Sequence, residues 1–226
     1  SQLYPEQEKL YQSELQVMRK QLLDESPDEK PKPNDVLRAL LRLRQICCHP
    51  SLIQSDLPSA KFDDAVAMID EILEEKHKIL IFSQFTSLLA LFRKHIEEKG
   101  IIYSYLDGKT RDRVSEVQKF QSDSDFKIFL ISLKAGGFGL NLTEADYVMI
   151  YDPWWNPASE RQAIDRAHRI GQSKKVTVYK HIAKNTVEEK IQQLQQVKNE
   201  LFLNLIQKSQ AGLPGLKYED LNYLFS

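Results

Sequence analysis

Five short apolar runs without polar alternation govern what this chain can fold into. Ile79 to Ser83 reads I-L-I-F-S, and further strand-like runs cover Ile101 to Leu106, Lys127 to Ser132, Tyr147 to Tyr151 and Val176 to Lys180. Between them lie helical patterns: Lys61 to Glu75 leads in, followed by Ser87 to Lys99, Arg113 to Gln121 and Glu160 to Ile170. A strand buried on one face alternates apolar with polar, whereas one buried on both faces does not. Strands that alternate with helices therefore predict an α/β fold, a parallel sheet with helices on both faces. Ligands of such sheets bind beyond the carboxyl ends of the strands. The loops at that edge follow Phe82, Leu106, Ile131 and Tyr151, and contain F-S-Q-F-T, D-G-K-T, L-K-A-G-G-F-G and D-P-W-W-N-P.

Helical extensions flank this alternation. Tyr4, Tyr11, Leu15, Met18 and Leu22 fall on one face of a helix over residues 3 to 23. Three prolines among charges mark a linker near 24–34. A second helix is expected from an Asn34 or Asp35 cap through L-R-Q-I-C-C, ended by His49-Pro50. From Thr186 a long helix places Val187, Ile191, Leu194, Val197, Leu201 and Leu205 at helical spacing, and K-Y-E-D-L-N-Y-L-F can close the chain as a short amphipathic helix. The expected organisation is a helical lead-in over 1–60, a sheet domain over 61–184 and a helical extension over 185–226.

The chain has 226 residues, 42% hydrophobic and 28% charged, enough for one sizeable core with appendages. Its formal net charge of −1 gives no global attraction to nucleic acid, so local patches matter more. From Glu160 to Lys184, seven lysines and arginines face two acids; Val36 to Ile46 holds Arg38, Arg42 and Arg44 without an acid. Either stretch could track phosphates, against a default of a solvated helix face. The two cysteines, Cys47 and Cys48, are adjacent, which suits neither a disulfide nor, with His49, a metal site, since consecutive residues cannot surround one ion. A reducing compartment is expected, cytoplasm, nucleoid or nucleus. No apolar run reaches membrane-spanning length, and the start carries no signal-peptide pattern. A first residue Ser1 in place of methionine suggests a processed product or a piece of a larger protein.

Residues 131 to 172 concentrate the chemistry. After the run ending at Ser132, Gly136, Gly137 and Gly139 permit a tight turn. Another strand closes on Asp152-Pro153, and Ser159 is a plausible N-cap for a helix carrying Gln162, Asp165, Arg166 and Arg169. At a spacing of three, Arg166 and Arg169 would project from one helix face. Two neighbouring guanidinium groups repel unless an anion sits between them, and a polyphosphate fits their planar, bidentate geometry. The blander reading is a solvated face paired with Asp165 and Glu160. The strand, glycine turn and D-P-W-W-N-P in one continuous block favour the phosphate.

The block S-L-K-A-G-G-F-G-L-N-L-T-E-A-D, then D-P-W-W-N-P, then Q-A-I-D-R-A-H-R-I-G-Q resembles the fifth and sixth helicase motifs of the Swi/Snf-type ATPases, double-stranded-DNA translocases of helicase superfamily two. The opening Y-P-E-Q-E-K-L-Y and the N-T-V-E-E-K-I segment are also similar to segments of that family. No G-x-x-x-x-G-K-[S/T] loop is present, because Tyr103 stands where the first glycine belongs, and no D-E-x-H stretch occurs. The resemblance thus implies a RecA-like second motor lobe, with ATP and Mg2+ held mainly by a first RecA-like lobe outside this chain. It implies Arg166 and Arg169 as arginine fingers and Gln162 orienting nucleotide or water. Gly137, Gly139, Asn141 and Asp165 would face the nucleotide. Ser83, Thr110, Lys134, Gly136 and Gly137 would hold the duplex DNA backbone, with Trp154 between the two sites. Lys134 departs from the arginine common in the family, which keeps phosphate attraction and loses the bidentate fork. The expected partners are duplex DNA and the first lobe, with no membrane, and the fragment is expected to be a monomer without ATPase activity of its own. Two alternatives stand beside this chromatin-remodelling-type translocase: an RNA-helicase lobe, for which H-R-x-G-R-x-x-R would be expected, and a non-catalytic protein-docking module.

Overall fold

Each apolar run becomes a strand: β1 (Ile79–Ser83), β2 (Tyr103–Leu106), β3 (Ile128–Ser132), β4 (Tyr147–Ile150) and β5 (Thr177–Lys180). They form one sheet in the order β2-β3-β1-β4-β5, with every pairing parallel. The helices are α1 (Pro5–Arg19), α2 (Pro33–Cys48), α3 (Ala60–Glu74), α4 (Thr86–Glu98), α5 (Arg113–Ser122), α6 (Pro157–Ile164), α7 (Val187–Val197) and α8 (Tyr218–Leu224). A computed structural model gives this fold and describes residues 1–24, 31–135, 140–152, 157–167, 176–197 and 218–226. The chain divides into two compact units, Asp63–His181 and Ser1–Phe62 with Ile182–Ser226.

In the unit Asp63–His181 the central strands β1 and β3 are buried throughout. Their alternate side chains point to opposite faces, so the lack of polar alternation is explained by cover on both sides. Leu80 and Phe82 join Phe129, Ile131, Val148 and Ile150 on one face, packed with Phe120 from α5 and Ala163 from α6. Helix α4 contacts β1 and β3 and buries Leu88, Leu89, Phe92 and Ile96, which take no part in that first cluster.

Strand β2 lies at the sheet edge, where unpaired N–H groups invite unwanted pairing. The Tyr105 N–H is satisfied instead by the Glu116 carboxylate at 3.0 Å, and the Ser104 hydroxyl donates to the Glu116 carbonyl at 3.0 Å. This strand starts at Tyr103, later than the apolar pattern suggests. Ile101 is taken up in closing α4: its N–H reaches the Ile96 carbonyl at 3.1 Å and the Gly100 N–H reaches Glu97 at 3.0 Å. Gly100 adopts φ 67°, so both bonds complete a left-handed helix stop.

In the other unit, α1 buries Gln7, Tyr11 and Leu15. The Gln7 amide donates to the Ile46 carbonyl at 2.9 Å and accepts from the Ala60 N–H at 3.3 Å. Tyr4 precedes the helix and is 37% exposed, so the apolar face begins a turn later than its spacing suggests. Helix α2 is capped at Lys32 with Pro33 in its first turn, which displaces Asn34 and Asp35 from the cap. The arginines of α2 form no phosphate-tracking stripe. Arg44 is buried, Arg42 pairs with Glu14 at 3.1 Å, and Arg38 remains in solvent near Asp35. His49 accepts the Ser51 N–H at Nδ1, 3.1 Å away, capping the short turn Pro50–Ile53. Cys47 and Cys48 are buried thiols outside any disulfide. Burial, with the nearby Glu188 charge, pushes the Cys47 thiol well above its usual range.

Among the described residues no helix is long and apolar enough to cross a membrane.

Candidate functional site

The parallel register brings the carboxyl ends of all five strands to one edge of the sheet. Backbone bonds lace that edge together: Leu133 N–H to Ser83 carbonyl, 2.9 Å, Tyr151 N–H to Phe82, 3.1 Å, and His181 N–H to Ile150, 3.0 Å. Two of these bonds fix the loop after β1 between those after β3 and β4.

Ser83 ends β1 fully buried. Its Oγ accepts the Phe85 N–H at 3.0 Å, turning the chain into α4. Sequence reasoning places Ser83 on the DNA backbone; the structure places its hydroxyl inside the loop. Beside it the Asp152 carboxylate, also 0% exposed, accepts the Gln84 N–H at 3.1 and 3.3 Å. A buried carboxylate fixed on a main-chain donor is a strong tie, because the charge strengthens the bond and the interior screens it poorly. Replacing Asp152 by Ala is expected to cost about 2 kcal/mol, at the middle of the range for a hydrogen bond to a charged group. Chemical denaturation of the chain measures it, and an unchanged midpoint would show that the Ser83–Phe85 turn holds itself.

The turn after β2 is organised by Asp107. Its Oδ1 accepts the Lys109 N–H at 2.8 Å and the Thr110 hydroxyl at 3.2 Å, and its Oδ2 accepts the Tyr105 hydroxyl at 3.2 Å. Thr110 Oγ1 in return accepts the Asp107 N–H at 2.9 Å. Partial burial alone would raise the Asp107 carboxyl. The hydrogen bonds outweigh it and hold the group below the usual carboxylate range. Thr110 is half-buried, while the side chains of Lys109 and Arg111 lie in solvent. Lys134, just past β3, is exposed too.

Of the residues expected to face nucleotide, Asn141, Gln162 and Asp165 are exposed, and Arg166 is buried at 7% exposure. The expected helix over 160–170 is shorter and starts earlier. Helix α6 begins at Pro157, so Ser159 lies within its first turn and is not the cap. It ends at Ile164, and tighter bonds follow, Arg166 N–H to Ala163 at 3.4 Å and Ala167 N–H to Ile164 at 3.0 Å. Arg166 therefore stands on a turn past the helix end, and Arg169, expected beside it on one helix face, lies outside the described residues. The Arg166 carbonyl is taken by the Leu142 N–H at 3.0 Å, a bond between the exit of the glycine-rich loop and the arginine turn. Glu160 is not an arginine partner from this helix. It is buried and forms an ion pair with Lys180 at the end of β5. Gly136, Gly137, Gly139, Trp154 and Arg169 lie outside the described residues.

Asp107 and Asp152 were not singled out in the sequence, and Glu160 was read there as an arginine partner on a solvated face. For Asp152 the signal was a carboxylate placed directly after a buried strand. No group of three or more metal-ligating side chains occurs among the described residues.

Residues 63–171 match the model of the helicase conserved C-terminal domain. An uncharacterized ATP-dependent helicase of Mycoplasma pneumoniae is 40% identical over 99% of this chain, which spans only 22% of that protein. The chain thus corresponds to about a fifth of the length of that curated relative. Among solved structures, the C-terminal domain of the Sulfolobus solfataricus SWI2/SNF2 ATPase superposes with TM-score 0.78 at 32% identity, covering 99% of this chain and 94% of that one. The core of the same Sulfolobus solfataricus ATPase, solved in complex with dsDNA, gives TM-score 0.81 at 34% identity, covering 99% of this chain and 48% of that one.

Proposed function

The chain belongs to the SWI2/SNF2-type ATPases as their helicase C-terminal lobe, and from that premise we propose that it is the second half of an ATP-dependent duplex-DNA translocase. In this reading the nucleotide lies between two lobes. The facing lobe holds ATP and its Mg2+, and this lobe closes over them with Arg166 and Arg169. Arginine supplied across an interface acts by neutralising charge that builds on the transferring phosphoryl oxygens. Gln162 orients the nucleotide or the attacking water, and Gly137, Gly139, Asn141 and Asp165 line the approach. Thr110, Lys134, Gly136 and Gly137 take the DNA backbone, with Lys109 and Arg111 adding exposed charge beside Thr110. Ser83 serves that side by shaping the loop through Phe85, and Trp154 stands between the two sites.

The observation that carries this reading is the 3.0 Å bond from Leu142 to the Arg166 carbonyl. It ties the loop expected on DNA to the turn expected on nucleotide, so a shift at either is felt by the other. Lobe closure coupled to phosphate contact is the step that converts hydrolysis into movement along a duplex.

The test compares ATP hydrolysis by this chain alone with that of a full-length protein carrying it, each with duplex DNA, single-stranded DNA and duplex RNA. No turnover by the chain alone and stimulation of the full-length protein by duplex DNA are expected. Hydrolysis by the chain alone would overturn the shared pocket. Stimulation by RNA in place of DNA would favour an RNA-helicase lobe, and no stimulated hydrolysis at all a docking module.

A further inference from the structure

We infer that Arg93, Tyr105 and Asp107 form a chain of positioning residues that presets the turn 107–110 for a DNA phosphate. The inference rests on the reading of this edge as the DNA-facing side. Tyr103 and Tyr105 are two apart on the edge strand β2, so their rings share one face. Arg93, from α4, reaches over both. Its Nε donates to the Tyr103 hydroxyl at 2.8 Å, and its guanidinium carbon lies 4.9 Å from the Tyr105 ring centre and 5.8 Å from that of Tyr103. The Tyr103 hydroxyl in turn donates to Glu97, which also lies 3.6 Å from Arg93. The Tyr105 ring is thus held from above by a cation, and its hydroxyl is delivered to Asp107 Oδ2 at 3.2 Å.

The chemistry of the turn makes that last bond matter. A carboxylate at a phosphate-facing turn repels the ligand unless its charge is engaged elsewhere. Asp107 Oδ1 is engaged by the Lys109 amide and the Thr110 hydroxyl. Oδ2 receives the Tyr105 hydroxyl, and the Thr110 N–H adds its pull on the carboxylate as a whole. Without the Tyr105 hydroxyl, Oδ2 is free to draw the exposed Lys109 and Arg111 side chains inward or to face the phosphate directly. Either change weakens DNA contact. Neither disturbs the core, because Tyr105 is half-buried on an edge strand, under Arg93 and on the face away from the cluster that holds Leu106.

The test uses the full-length ATPase and reads three quantities: the dissociation constant for a labelled DNA duplex, kcat at saturating DNA, and the melting temperature. Lys109→Ala asks whether the turn contacts DNA at all. Tyr105→Phe keeps the ring under Arg93 and removes only the hydroxyl. Both are expected to weaken duplex binding, Tyr105→Phe by roughly tenfold for loss of one hydrogen bond to a charged group. For Tyr105→Phe, kcat at saturating DNA should stay at the wild-type value and the melting temperature should fall by no more than a few degrees, the share of one partly exposed hydrogen bond. If Lys109→Ala weakens binding and Tyr105→Phe does not, the positioning chain is overturned while the DNA-facing edge stands. If Lys109→Ala leaves binding unchanged, the DNA reading of this turn fails and the inference falls with it. A drop in melting temperature or kcat for Tyr105→Phe, with affinity intact, would reduce Tyr105 to a structural residue.

Discussion

Arg166→Lys in the full-length two-lobe protein should lower ATP turnover by roughly a thousandfold or more while leaving duplex-DNA affinity near the wild-type value. Lysine keeps the charge and most of the volume but loses the planar fork that meets two phosphoryl oxygens at once. Its choice over alanine follows from the burial of Arg166, 7% exposed on the turn after α6. Truncating a buried residue there would remove packing as well as chemistry, and the loss of activity would then have two causes. Alanine remains useful as a second variant, read against the melting temperature of the chain. The DNA measurement separates the nucleotide role from a general collapse of the edge, because the Leu142–Arg166 bond uses the main chain and survives either substitution. Turnover at the wild-type rate in Arg166→Lys would remove the finger assignment and leave Arg166 as an interior cation of this lobe.

The sheet was legible in the sequence because its physics is local. Ile79 to Ser83 was read to the residue, since five consecutive residues buried on both faces leave no other period to follow. Boundaries failed where one residue served two elements, as with Ile101, which closes α4 before β2 can begin. Caps failed where proline preceded the polar candidate, at Pro33 and again at Pro157. Charged residues were read least well, because periodicity does not tell a solvated charge from a buried one. Arg44, Lys61 and Glu188 all look like surface residues in the sequence and are buried in the fold. Lys61 and Glu188 are 127 positions apart, so no window of sequence could pair them. The same limit hid the union of the first and last segments in one unit, where Tyr11 accepts the Val187 N–H at 2.7 Å. At the candidate site Lys134, Asn141 and Gln162 were singled out through motif resemblance, and all three are exposed. Asp107 and Asp152, which hold the turn at Thr110 and the Gln84 N–H, were not, because a carboxylate that organises backbone amides leaves no periodic trace.

The second large effect is expected at Lys61. Its Nζ lies 2.7 and 2.9 Å from the two Glu188 oxygens, with side-chain exposures of 0% and 2%. Glu188 also accepts the Ala183 N–H at 2.9 Å, and its own N–H is capped by the Thr186 hydroxyl at 3.2 Å in the first turn of α7. Burial alone would push the Lys61 ammonium below its usual range. The Glu188 charge and hydrogen bonds more than reverse this, so the group ends above it. Lys61→Met should therefore destabilise the chain by about 3–5 kcal/mol, since it strands a carboxylate without its countercharge. The double variant Lys61→Met with Glu188→Leu should recover part of that loss, because two apolar side chains need no countercharge, while the Ala183 N–H loses its acceptor. A lysine held above its ordinary value gives its full stabilisation below the unfolded pKa, and loses it as pH rises through the folded one. The wild-type advantage over the double variant should thus be flat across neutral pH and change only above the ordinary lysine range. A single variant that melts with the wild type would mean that solvent reaches Glu188. A double variant no more stable than the single would mean that the cost lies in packing, and that the ion pair does not hold α7 to the start of α3.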